Sequence, residues 1–174
     1  MNNKLHFRLM ALSYKLRDFL RPRPVIIQEA GIKTGDIVLD FGCGPGSYIL
    51  PLSELVGPEG RAYALDTNLL AIQAVERLAA RRQLKNVVTI KSNGPTGLPE
   101  GYFDVILLYD VFHDLAKPEE VLGELHRVLK PEGILSLSDH HLKENQILYG
   151  LTGKNLFELA KKGRFTYSFK KIQK

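Results

Sequence analysis

Residues 38–48 read Val-Leu-Asp-Phe-Gly-Cys-Gly-Pro-Gly-Ser-Tyr. Val38, Leu39 and Phe41 make a short buried-strand pattern that carries one carboxylate, Asp40, and runs into Gly42, Gly44 and Gly46 at alternate positions. Glycine admits positive φ and has no Cβ to hold a ligand away from the main chain. The run is therefore suited to bringing backbone and a carboxylate against a bulky polar ligand. It is not the G-x-G-x-x-G of a dinucleotide site: the sixth position counted from Gly42 is Ser47, and from Gly44 it is Ile49. A dinucleotide also needs its pyrophosphate at a helix N-terminus. Asp40 sits poorly beside that anion and pairs instead with a ligand bearing an ammonium group.

Four more polar clusters follow apolar segments: Asp66-Thr67, Ser92-Asn93-Gly94, Tyr109-Asp110 and Asp139-His140-His141, with His113-Asp114 just beyond the third. Asp110, His113, Asp114, Asp139, His140 and His141 are the groups here that can take a proton near neutral pH. A cluster of Asp and His can also hold a divalent cation, but the favoured reading assigns no metal. Cys43 is read as a small buried filler, and as the only cysteine it excludes thiol-cluster chemistry and any intrachain disulfide.

The elements that must position these groups alternate at short intervals. Strands are expected at Ile37–Phe41, Ala62–Leu65, Val87–Ile90, Val105–Tyr109 and Ile134–Ser138. Helices are expected at Val25–Ala30, Ser47–Val56, Asn68–Arg82, Glu119–Val128 and Gln146–Leu151. Lys130–Gly133 reads as a turn, and Phe157–Lys161 with Phe165–Phe169 as a closing antiparallel pair. This order predicts an α/β domain: a Rossmann-like, mostly parallel twisted sheet of about seven strands, the last antiparallel, with helices on both faces. Such sheets bind ligands beyond the carboxyl ends of the strands, where every polar cluster above falls. Ahead of this domain (residues 25–174), residues 3–20 carry two apolar stripes at helical spacing within a basic segment, a candidate lid over residues 1–24.

At 174 residues, 44% hydrophobic and 25% charged, the chain is an ordinary globular domain. It has no apolar run long enough to span a membrane. A lone cysteine suggests a reducing, cytoplasmic setting. The net charge of +5 is uneven: residues 1–24 carry six basic residues against one acidic, and residues 154–174 seven against one, so the centre is acidic.

With these motifs in order, the chain resembles the class I S-adenosylmethionine-dependent methyltransferases over roughly residues 25–140. Val38–Gly46 is similar to the family's first motif, Ala64-Leu65-Asp66 to its second, Phe103-Asp104-Val105-Ile106 to the opening of its fourth, and Glu124–Gly133 to the segment before strand five, with Glu132 where glycine is commoner. The resemblance implies S-adenosyl-L-methionine as cofactor. It places the methionine part against Asp40, Gly42, Cys43, Gly44 and Gly46, the ribose hydroxyls on Asp66 with Thr67 beside the adenine, the adenine amine at Ser92-Asn93, and Tyr109 near the sulfonium. Of the proton-accepting groups after strands four and five, Asp110 and His113 are the expected catalytic residues. No Asn/Asp-Pro-Pro-Tyr follows strand four, where Tyr109-Asp110-Val111-Phe112 stands, which argues against amino-methylation of adenine or glutamine. A small-molecule acceptor is the expected partner. RNA bound by the basic ends, a cofactor-binding protein without turnover, and an acceptor site shared across a homodimer are the other readings.

Overall fold

The computed structural model describes residues 23–173; the helix expected over residues 3–20 lies outside them. In chain order the elements are α1 (Arg23–Gln28), β1 (Ile37–Phe41), α2 (Ile49–Val56), β2 (Arg61–Asp66), α3 (Leu69–Arg82), β3 (Val87–Lys91), β4 (Phe103–Tyr109), a short 3₁₀ turn (Phe112–Asp114), α4 (Pro118–Val128), β5 (Leu129–Ser138), α5 (Glu144–Thr152), β6 (Phe157–Lys162) and β7 (Tyr167–Lys171). Seven strands form one sheet in the order β3-β2-β1-β4-β5-β7-β6. The first five run parallel, and β7 is antiparallel to both β5 and β6. The expected Rossmann-like architecture is the observed one. No helix among the described residues is long and apolar enough to cross a membrane.

Strand alternation divides the core. Val38, Ala62, Val105 and Leu107 face α1 and α2, packing on Ile26, Ile27, Leu52 and Val56. Leu39, Phe41, Leu65, Ile106 and Leu137 face the other way, onto Leu122 and Leu125 of α4 and Leu151 of α5. In β4 every residue but Asp104 is buried, as a central parallel strand covered on both faces requires. Asp104 is used at the strand's start, accepting from the Ile37 backbone N–H at 2.9 Å and from Lys130 Nζ at 2.6 Å. The site lies at the opposite end of the sheet.

Several strand boundaries depart from the sequence expectation: β4 starts at Phe103, ahead of Val105, and two others have an identifiable cause. Residues 130–133 are not a turn between elements but an excursion within β5, flanked by the pairs Phe103–Leu129 and Val105–Ile134. The reason is that Leu129 is already buried and paired before the chain loops out. The final strand starts at Tyr167, not Phe165, because the backbone before it is used elsewhere. Glu29, just after α1, accepts from the N–H groups of Arg164, Phe165 and Thr166 and from the Thr166 hydroxyl, at 3.0–3.1 Å. Burial pushes the Glu29 carboxyl up, yet these donors outweigh it and hold its pKa below the usual carboxylate value. Glu29→Ala leaves those donors without their charged acceptor and is expected to lower stability by about 2 kcal/mol, read as a fall in the urea midpoint at unchanged m-value.

Candidate functional site

The carboxyl ends of β1 to β5 meet along one edge, at the point where the strand order reverses between β1 and β4. From β1 the chain enters the glycine turn. Gly42, Gly44 and Gly46 all have positive φ, at 77°, 51° and 88°. The N–H groups of Gly42 and Cys43 both donate to the Leu65 carbonyl, at 2.8 and 3.0 Å, which ties the turn to β2. A Cβ on Gly42 would run into the Val111 isopropyl group, so this position stays bare to let the segment after β4 approach. Gly46 serves a different neighbour: a Cβ there would press on Val75 of α3 at 3.0 Å.

Asp66 ends β2 and links the turn to the next helix. Its Oδ2 accepts from the Gly44 N–H at 2.9 Å and its Oδ1 from the Asn68 N–H at 2.8 Å. Asn68 in turn caps α3, accepting from the Leu70 N–H at 2.9 Å. Two fixed N–H groups therefore set the direction of the Asp66 carboxylate and leave its remaining lone pairs for a ligand diol. Asp40, 2% exposed, lies at the floor of the turn. Burial, with help from the nearby Asp40 and Asp66 carboxylates, pushes the Cys43 thiol up, so Cys43 is a protonated filler and not a nucleophile. Burial likewise raises Tyr109, whose hydroxyl sits 2.8 Å from Ser136 Oγ and whose ring meets Tyr48 edge-on at 5.1 Å.

These groups enclose a cavity of about 340 Å³. Its lining includes every cofactor-binding residue expected from the sequence except Gly46: Asp40, Gly42, Cys43, Gly44, Asp66, Thr67, Ser92, Asn93 and Tyr109. Asp110 lines it as well, and His113 does not. Ser47, Ala71, Val111 and Leu115 also line the wall and were not expected there from the sequence. For Ala71 a signal existed: it is a small residue at the third position of α3 after the Asn68 cap.

The loop that carries Ser92 and Asn93 is held from behind. Glu124 Oε1 accepts from the Thr96 N–H at 2.8 Å and the Thr96 hydroxyl at 2.7 Å. Arg127 pairs with the same carboxylate at 2.8 Å and donates to the Leu98 carbonyl at 2.9 Å. The Arg127 hydrogen bond, with the Thr96 donors, outweighs burial and brings the Glu124 carboxyl down to about 2. Its folded value lies below its unfolded one, so the ionised form favours the fold. That stabilisation is complete above about pH 4.5 and is lost as pH falls toward 2. Glu124→Gln is expected to cost about 2 kcal/mol at neutral pH and progressively less as pH falls through about 2. Thermal melts of both proteins across this range check it.

The donor set fits the cofactor of the family resembled. An amino-acid ammonium suits the buried Asp40 better than a phosphate would, and a ribose diol suits the oriented Asp66. Among the described residues no group of three or more His, Cys, Asp or Glu is placed to hold a metal ion.

Comparison with known proteins bears on the same region. Residues 32–171 match the family described as a methyltransferase domain. The demethylmenaquinone methyltransferase of Geobacillus stearothermophilus is 31% identical over 134 residues, which is 76% of this chain and 57% of that protein. The corresponding protein of Lactobacillus johnsonii is 27% identical over 72% of this chain and 52% of its own length, so the chain spans little more than half of these relatives. Among solved structures, an S-adenosylmethionine-dependent methyltransferase from Aquifex aeolicus aligns with a TM-score of 0.79 at 26% identity, covering 90% of this chain and 93% of that one. The cyclase SpnF shares the fold, with a TM-score of 0.71 at 20% identity over 81% of this chain and 57% of its own. The glycine turn, the Asp66 link and the sheet order on which these matches fall have one common source: the chain belongs to the class I S-adenosylmethionine-dependent methyltransferase family.

Proposed function

We propose that this protein is an enzyme that transfers a methyl group from S-adenosyl-L-methionine to a small-molecule acceptor of the quinone class that its relatives' names give. The observation that carries the proposal is the Asp66 carboxylate, fixed by Gly44 and Asn68 at the wall of a cavity whose floor is Asp40. The cofactor supplies an electrophilic methyl group, so the chain's task is to bind, orient and exclude water. Asp40 and the Gly42–Gly46 main chain hold the amino-acid end, Asp66 the ribose, and Thr67, Ser92 and Asn93 the base. Tyr109, neutral and braced by Tyr48 and Ser136, sets the wall beside the reacting methyl.

The catalytic expectations Asp110 and His113 belong to the β4–β5 side, which this reading gives to the acceptor. A cytoplasmic location goes with it. The nucleic-acid reading draws less support, since Lys154, Lys162 and Lys170 of the basic C-terminal segment already face Glu119, Glu144 and Glu132. The test is a transfer assay with deuteromethyl-labelled cofactor against reduced naphthoquinone and total RNA. Label in the quinol supports the proposal, and label in RNA alone overturns the acceptor class. Cofactor binding without transfer to any acceptor favours a binding protein on the same fold.

A further inference from the structure

Six proton-accepting groups stand beyond β4 and β5, and four of them form two carboxylate–histidine pairs that are not equivalent. Asp139, whose side chain is fully buried, accepts from His113 through Nδ1 at 2.8 Å and the backbone N–H at 3.0 Å, and from the His141 N–H at 3.1 Å. Asp110 lines the cavity, and its Oδ1 lies 2.7 Å from His140 Nδ1 and 3.3 Å from the His140 N–H. The rings of His113, His141 and His140 form a row, with 4.2 and 3.9 Å between neighbouring centroids. Of the two ends of this row the His140 end is the more open, its side chain being 49% exposed against 28% for His113, and His141 between them is exposed as well.

The backbone of Asp110 is also unusual. It takes a φ of 54°, uncommon for a residue with a side chain. The Asp110 N–H, bonded to the Ser138 carbonyl at 2.7 Å, holds that turn in place. A conformation of this kind persists only where its surroundings fix it, and such positions gather at functional sites. Asp110 lines the cavity and its carboxylate bonds His140, which itself stands just outside the lining.

We propose that His140 is the general base for the acceptor, with Asp110 holding its tautomer and direction; the proposal rests on the methyl-transfer reading above. A carboxylate on Nδ1 favours the neutral ring with its proton on that nitrogen, which leaves the Nε2 lone pair to accept. The acceptor's carbon or oxygen forms its bond to the methyl carbon as that carbon's bond to the donor sulfur breaks, and sulfur keeps the electron pair. The acceptor's proton goes to His140 Nε2, so the positive charge lost from sulfur ends on an imidazolium facing Asp110, and leaves from there to water. Of the other groups around His140, the His141 ring lies against it, backed by His113 and Asp139, and Asp114 lines the cavity with Asp110. The class of acceptor this requires is one that sheds a proton on methylation, such as a quinol or phenol.

The test has two parts. Long-range proton–nitrogen correlation on the protein alone reads the His140 tautomer: Nδ1–H is expected in the wild type, reverting to Nε2–H in Asp110→Asn. An Nε2–H tautomer in the wild type overturns the proposal. Kinetics with reduced naphthoquinone and His140→Gln are expected to show kcat lower by about 100-fold or more, unchanged KM, and loss of the rise of kcat with pH. An unaltered kcat and pH profile overturns the proposal, as does a profile abolished by His113→Gln and kept in His140→Gln. Because the tautomer is read without an acceptor, failure of the methyl-transfer reading is seen separately, as a wild type that transfers nothing to the quinol.

Discussion

Asp66→Ala is expected to weaken binding of S-adenosylhomocysteine by about 100-fold or more. The reason is that one side chain performs three tasks. It accepts from the Gly44 N–H and so fixes the middle of the glycine turn, it accepts from the Asn68 N–H and so sets the entry to α3, and it faces the cavity where a ribose diol would lie. Hydrogen bonds to a charged acceptor contribute about 1.5–3 kcal/mol each, and removal of the carboxylate leaves two N–H groups to find water while the ligand loses its own acceptor. The fold itself should survive, since the core on both faces of β2 is apolar and Asp66 is not part of it. Titration calorimetry on the variant, beside a thermal melt showing a folded protein, checks the prediction. Binding equal to the wild type would mean that Asp66 is only a local brace for the turn.

Asp110→Asn is expected to lower kcat by about 100-fold to 10,000-fold while leaving cofactor affinity within about a few fold. An asparagine in the same place can present its amide N–H to His140 and select the opposite tautomer, which puts the ring proton on the nitrogen that must accept. The positive φ at this position is tolerated by Asn as well as by Asp, so the turn after β4 should be kept. That makes the variant a test of chemistry and not of folding. Steady-state kinetics with reduced naphthoquinone, together with calorimetry for the cofactor product, separate the two effects. A parallel loss of cofactor binding would place Asp110 in the donor site instead.

Much of this arrangement was legible in the sequence because the signals were local. The alternating glycines after Asp40 announce a tight turn of positive φ, and an apolar strand ending in Asp66 announces the carboxylate that ties that turn to the next strand. The apolar run 105–109 announces a strand covered on both faces. What stayed hidden depends on residues distant in sequence. Glu29 captures the backbone of 164–166 across more than a hundred residues, and this alone moves the start of β7. The pairing of Asp139 with His113 and of Asp110 with His140 follows from the β4–β5 register, which brings Tyr109 opposite Ser138. Without that register the six candidate groups cannot be divided into one pair at the cavity and one behind it. Val111 was also out of reach, since its role is to occupy the space a Cβ on Gly42 would need.

The claim at the centre of this account is that the cavity between the glycine turn and Asp66 is the methyl-donor site. A crystal structure of the protein with S-adenosylhomocysteine tests it most directly. The account predicts the ribose hydroxyls on the Asp66 carboxylate, the amino group toward Asp40, and the sulfur beside Tyr109. A ligand seated elsewhere, or an Asp66 carboxylate that keeps only Gly44 and Asn68 as partners while the ligand binds, would contradict it.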